Sequence, residues 1–108
     1  MGKAVGQREN AIERYLLRMC RENGLLCMKF VSPGRAGVPD RIVVSPITGV
    51  VFVEVKRTAG RLGARQSRMH SKLRHFGAAV HVVDDEAGVD TLVEHLRGQC
   101  HSRLSVKA

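Results

Sequence analysis

Residues 37–57 read GVPDRIVVSPITGVVFVEVKR, and they place acids and a lysine inside the most strand-like part of the chain. Two apolar runs, Arg41–Ser45 and Val50–Lys56, flank PITG, whose Pro and Gly mark a turn; the pattern predicts two paired strands. Pro39 has a fixed φ and no N–H, which suits a strand entry, so Asp40 opens the first strand. Alternate strand residues share a face, so Phe52, Glu54 and Lys56 point one way and Val51, Val53 and Val55 the other. A carboxylate beside valines costs on the order of several kcal/mol unless it is hydrogen-bonded, paired or holding a metal. Pairing of the two strands brings Asp40 towards Glu54. Two converging carboxylates repel unless a cation lies between them, and hard oxygen ligands suit Mg²⁺ or Mn²⁺. With the Lys56 ammonium alongside, the chemistry indicated is metal-assisted hydrolysis of a phosphodiester.

Outward from this stretch the chain reads α-β-β-β-α-β-α. From about Gln7 to Asn23, Ile12, Leu16, Met19 and Cys20 recur at helical spacing with Arg14, Arg18 and Arg21 on the other side, and Gly24 supplies a stop. Glu13 falls on the apolar arc of this helix, which makes it either a rim residue or a contributor to the site. Leu25 to Val31 predicts a first strand, and three strands in succession suggest an antiparallel meander. A second helix is predicted from about Arg65 to Phe76, with Met69, Leu73 and Phe76 inward. Ala78 to Val83 predicts a fourth strand, and Val89, Leu92, Val93 and Leu96 mark a third helix. GQCHSRLSVKA is left as a polar, basic tail. Apolar positions on the first and third helices are the expected surplus for a contact between copies.

The chain has 108 residues, enough for one core, so residues 1–108 are read as one domain with a core at about 9–96 and a tail at 97–108. A net charge of +8 argues for a polyanionic partner. Between Val55 and Val83 stand seven basic residues, Lys56, Arg57, Arg61, Arg65, Arg68, Lys72 and Arg74, and no acid. Such a block attracts phosphates, while three Phe, one Tyr and no Trp give little support to a mode built on stacking single-stranded bases. Cys20, Cys27 and Cys100 have no C-x-x-C spacing, which argues against a disulfide framework or structural zinc and for a reducing compartment. MGKAVGQ lacks a signal-peptide core and no apolar run approaches a membrane span, so a cytoplasmic protein with no membrane partner is expected. The TAGRLGA loop has no Gly-Lys-Ser/Thr, so no nucleotide cofactor is expected.

GVPD, thirteen residues, then EVK, preceded by a helix with an inward Glu, resembles the PD-(D/E)XK nuclease superfamily. More specifically, IERYL, KFVSPGRAGVPDRIVV, VVFVEVKR and the later Gln66 resemble the VRR-NUC family, the virus-type replication-repair nucleases. The resemblance implies an α/β, restriction-endonuclease-like αβββαβ core with a mixed four-stranded sheet flanked by helices. It implies that Asp40 and Glu54 bind Mg²⁺ or Mn²⁺ with the backbone carbonyl of Val55, that Lys56 is the motif lysine, and that Glu13 is the first helix's acid, Glu9 being the substitute one turn earlier. Gln66 matches the glutamine that orients Lys56 or the scissile phosphate. Short standalone members look like phage or bacterial enzymes that act as homodimers on branched DNA, including four-way (Holliday) junctions.

Arg57, Arg61, Arg65, Arg68 and Lys72 are the expected DNA contacts. Lys29 and Arg35 join them, although Lys29 also fits an exposed strand face and the Ser32–Arg35 loop a simple turn. His70, one turn after Gln66, either reaches the site or packs; His75, His81, His95 and His101 show no ligand spacing. The rival readings are a non-catalytic DNA-binding module of the same fold and a nuclease for RNA, single strands or flaps. An ordinary surface ion pair between Glu54 and Lys56 is the bland alternative.

Overall fold

The computed structural model describes residues 8–98. Helix α1 spans Glu9–Glu22 and buries Ile12, Leu16 and Cys20, four residues apart and hence on one stripe. It stops where the Asn23 side chain donates to Met19 O and Gly24 takes φ +71°. Strands β1 (Leu26–Lys29), β2 (Arg41–Ser45) and β3 (Gly49–Val55) form the meander; α2 (Ala64–His75) crosses over, and β4 (Val80–Val83) returns parallel to β3. α3 (Glu86–Leu96) closes the chain, with Asp85 capping its start through the Gly88 N–H. The sheet order is β1-β2-β3-β4, a mixed α/β sheet flanked by helices in the restriction-endonuclease-like manner.

One sheet face carries Val43, Val51, Val53, Val55 and Val83 and is sealed by α1 and α3, so all of these valines lie in the core. Burying each contributes roughly 1.5–3 kcal/mol, which makes β3 the spine of the fold. Tyr15 donates to Asp90 at 2.6 Å and ties the two helices together, while Ser45 Oγ donates to Leu96 O.

Helix α2 covers the opposite face along β4, where Arg74 donates to Val80 O at 2.7 Å, and over Glu54 at the end of β3. The register puts Leu26, Val44 and Val50 in one row of that face and Met28, Ile42 and Phe52 in the next, with Leu26 56% and Val50 55% exposed. This relocates the expected surplus of apolar surface. Ile12, Leu16, Val89, Leu92, Val93 and Leu96 are consumed by the core, and the exposed apolar residues include Leu26, Met28, Val50 and Val82 of the sheet.

On helix α2, Met69 and Leu73 are half-buried on the expected side, and Phe76 departs from expectation. Phe76, expected inward, caps the helix at 76% exposure, and the buried residue is His70 at 0%. The inner side of α2 faces the end of β3 and its polar groups, so the ring that hydrophobicity would place inside has no apolar pocket to enter. No helix among the described residues is long and apolar enough to cross a membrane.

Candidate active site

Because Val51, Val53 and Val55 take the core face of β3, Glu54 projects to the α2 side, and the chain brings polar groups there to meet it. Glu54 is 1% exposed. Its Oε2 accepts from Gln66 Nε2 at 3.0 Å and lies 3.6 Å from Lys56 Nζ. Lys56 Nζ donates to Gln66 Oε1 at 2.8 Å, and the Gly63 N–H donates to the same oxygen at 3.1 Å. One amide therefore aligns the lysine with one end and the carboxylate with the other, and is itself fixed by the first turn of α2. Glu54 Oε1 has no hydrogen-bond partner among the described residues and faces His70 Nε2 at 3.8 Å.

Asp40 stands beside this cluster. Its Oδ2 accepts from the Val55 N–H at 3.2 Å, which locks it to the strand that carries Glu54. The preceding loop is pressed against α2: Gly37 has φ +84°, and a Cβ there would lie 2.7 Å from Arg65 O. Only glycine allows this approach, so the GVPD turn, Gln66 and Asp40 are held in one unit. Burial, then the Asp40 charge, raises the Glu54 carboxyl to about 7, with Lys56 opposing and Glu9 adding to the rise. Burial and the charges of Arg74 and Lys56 lower His70, which favours a neutral imidazole.

No family model matches the chain. A solved "VRR_NUC domain" is 33% identical to it, superposes with a TM-score of 0.74, and aligns over 82% of this chain and 97% of that one. The chain belongs to the VRR-NUC family. It is also 42% identical over 79 residues to "Putative nuclease p44" of Acyrthosiphon pisum secondary endosymbiont phage 1, covering 73% of this chain and 85% of that protein.

In this VRR-NUC domain the structure brings together Asp40, Glu54, Lys56 and Gln66, and adds His70. It does not bring Glu13. Arg41 Nε and Nη2 each lie 2.8 Å from Glu13 Oε2, on the core-facing side of β2. A carboxylate neutralised by its own arginine is a poor metal ligand, and the helix-one acid whose charge reaches Glu54 is Glu9. Among the described residues no three His, Cys, Asp or Glu side chains converge as a metal cluster. The acids that the site itself holds are thus Asp40 and Glu54.

Arg35, Arg57, Arg61, Arg65, Arg68 and Lys72 are all exposed. Lys29 is exposed too and pairs with Arg41 across β1 and β2, at the Asp40 end of the sheet. Arg35 sits in a turn closed by its N–H to Ser32 O. The sequence signal for His70 was its spacing, one helical turn after Gln66.

Proposed function

We propose that this nuclease domain is a divalent-metal-dependent endonuclease that hydrolyses phosphodiester bonds in DNA, with branched duplexes such as four-way junctions as its preferred substrates. One observation carries the reading: a fully buried carboxylate, Glu54, held between Lys56, Gln66 and His70 with a second carboxylate, Asp40, beside it. A buried acid with a free oxygen, pushed up by a neighbouring acid, is the electrostatic signature of a place for a cation. Two carboxylates and one carbonyl form a sparse donor set, the kind Mg²⁺ accepts because it keeps several waters. Asp40, Glu54 and the Val55 carbonyl would hold it, with Glu9 adding negative charge from the start of α1.

When bound, the ion supplies Lewis-acid polarisation of the phosphate and a water of lowered pKa. The chain's own residues do the rest. Gln66 fixes the Lys56 ammonium, which donates to the attacking water or to a phosphate oxygen as negative charge builds on phosphorus. His70 lines the closed side of Glu54 and keeps water from it. The exposed arginines and Lys72 neutralise phosphates on either side of the scissile bond.

The same reading takes the active unit to be a homodimer. The sheet rows of Leu26, Val44 and Val50 and of Met28, Ile42 and Phe52 support it, since Leu26, Met28 and Val50 are exposed among half-buried apolar neighbours on a strongly basic protein. Light scattering of wild type and Val50→Glu tests this: a dimer converted to monomer is expected.

The functional test incubates the protein with linear, flapped and four-way DNA, and with single-stranded RNA, in Mg²⁺, Mn²⁺ or EDTA. Cleavage of the four-way substrate with either metal and none in EDTA is expected. Binding without cleavage under every condition would instead favour a non-catalytic module.

A further inference from the structure

Helix α2 starts at the site and runs away from it. Arg65, Arg68, Lys72 and Phe76 follow at three- and four-residue steps, so they share one stripe along the helix and its C-terminal cap, turned away from Gln66 and His70. All four are exposed. Helix α2 contains no acid, and none of the three cations is paired with one among the described residues. Phe76 ends the stripe with 76% of its surface exposed, the highest value among the large hydrophobic residues described. His75 meets its ring edge-on, with centroids 5.4 Å apart and an interplanar angle of 82°. Beside the stripe runs a shallow hollow lined by Ser67, Arg68, Ser71, Lys72, His75 and Phe76.

A row of unpaired cations complements a phosphate backbone, but an aromatic ring at its end does not. We propose that Phe76 is a stacking platform for an unpaired base, to which Arg65, Arg68 and Lys72 lead the strand. Inside a duplex both faces of each base are covered by neighbours, so Phe76 gains nothing from linear DNA. On a single-stranded flap a base is free to stack. From Gln66 to Phe76 the helix rises about 15 Å, which places the stacked base a few nucleotides from the scissile phosphate. The stripe thus gives this chain its own means of selecting flapped DNA over a linear duplex. The inference rests on the DNA-nuclease reading above and adds to it a residue that recognises an unpaired base.

The test measures binding of the full chain, in EDTA to prevent cutting, to a linear duplex and to a flapped duplex of the same arm sequence, with 2-aminopurine at successive flap positions. A preference of wild type for the flapped DNA is expected. Stacking of one base is worth roughly five- to a hundredfold in affinity. Phe76→Ala and Phe76→Leu should therefore lower the flapped-to-linear ratio by about fivefold or more, while Phe76→Trp retains it. Quenching of 2-aminopurine at one flap position should vanish with the ratio. An unchanged ratio in the Ala and Leu variants overturns the inference. So does a shift from dimer to monomer in those variants with the ratio unchanged, which would make Phe76 a contact between copies. A wild type that binds neither DNA overturns it together with the DNA reading, and that failure appears before any variant is made.

Discussion

Gln66 donates to Glu54 at 3.0 Å through one end of its amide and accepts from Lys56 at 2.8 Å through the other. The two residues of the E-x-K motif are thereby aligned by a third that lies on a different element. Gln66→Ala should leave Lys56 free to rotate and lower kcat by about 10- to 100-fold, the scale of a lost positioning group, while KM changes little. Single-turnover kinetics on a cleavable DNA checks this, with a thermal melt to establish that the variant is folded. An unchanged kcat would mean that the amide only caps α2.

Glu54 links the site to stability. Its carboxyl is raised from 4.5 to about 7, chiefly by burial and by Asp40. The folded chain therefore retains a proton that the unfolded chain has lost across that window, so this group's contribution to stability falls as pH rises from about 4.5 to 7. Glu54→Gln should stabilise the metal-free protein above pH 7 by on the order of 3 kcal/mol and by almost nothing at pH 4. Urea melts in EDTA at the two pH values measure the difference; equal effects at both would contradict the burial account. Ion binding requires the ionised form and should weaken as pH drops below about 7.

Of the acids on the first helix, Glu9 and Glu13 lie one turn apart and have different surroundings. Glu13→Gln breaks the Arg41 pair, in which both side chains are largely covered, and should lower stability by roughly 1–3 kcal/mol with little effect on ion affinity. Glu9→Gln should do the reverse, weakening Mn²⁺ binding several-fold while the melting temperature holds. Calorimetric titration with Mn²⁺ separates the two; an ion affinity lost in the Glu13 variant alone would restore Glu13 to the site.

Gly37→Ala places a Cβ 2.7 Å from the Arg65 carbonyl at a φ of +84°. Both the strain and the clash fall on the loop that carries Asp40, so a loss of roughly 2 kcal/mol or more and reduced cleavage are expected. Gly24→Ala is the control: its φ is +71° with nothing within 4 Å, so only the conformational cost of about 1 kcal/mol applies. Denaturant melts of the pair decide; equal costs would mean that the close approach is relaxed in solution.

Much of this was readable from residues 37–57, because a strand's period of two leaves no freedom about which side of the valines Glu54 and Lys56 occupy. Glu9 and Glu13 could not be separated that way. They lie one turn apart on the same side of α1, and what distinguishes them is the arrival of Arg41 from β2 at Glu13 and the reach of the Glu9 charge to Glu54. Phe76 departs from its expected inward place for a related reason, while His70 does pack, against the site. Hydrophobic ranking assumes an apolar environment on the inner side of a helix, and the inner side of α2 meets the Glu54 cluster. The direction of β4 likewise depends on the α2 crossover and not on any residue within Val80–Val83.

The most direct measurement is cleavage of a four-way DNA junction in Mg²⁺ by wild type, Asp40→Ala and Glu54→Ala, each with its junction affinity determined in EDTA. The account predicts incision by wild type that EDTA abolishes, no incision by either variant, and junction affinity in the variants equal to or tighter than wild type, because a negative charge facing phosphate has been removed. Undiminished incision by Glu54→Ala in Mg²⁺ would contradict it.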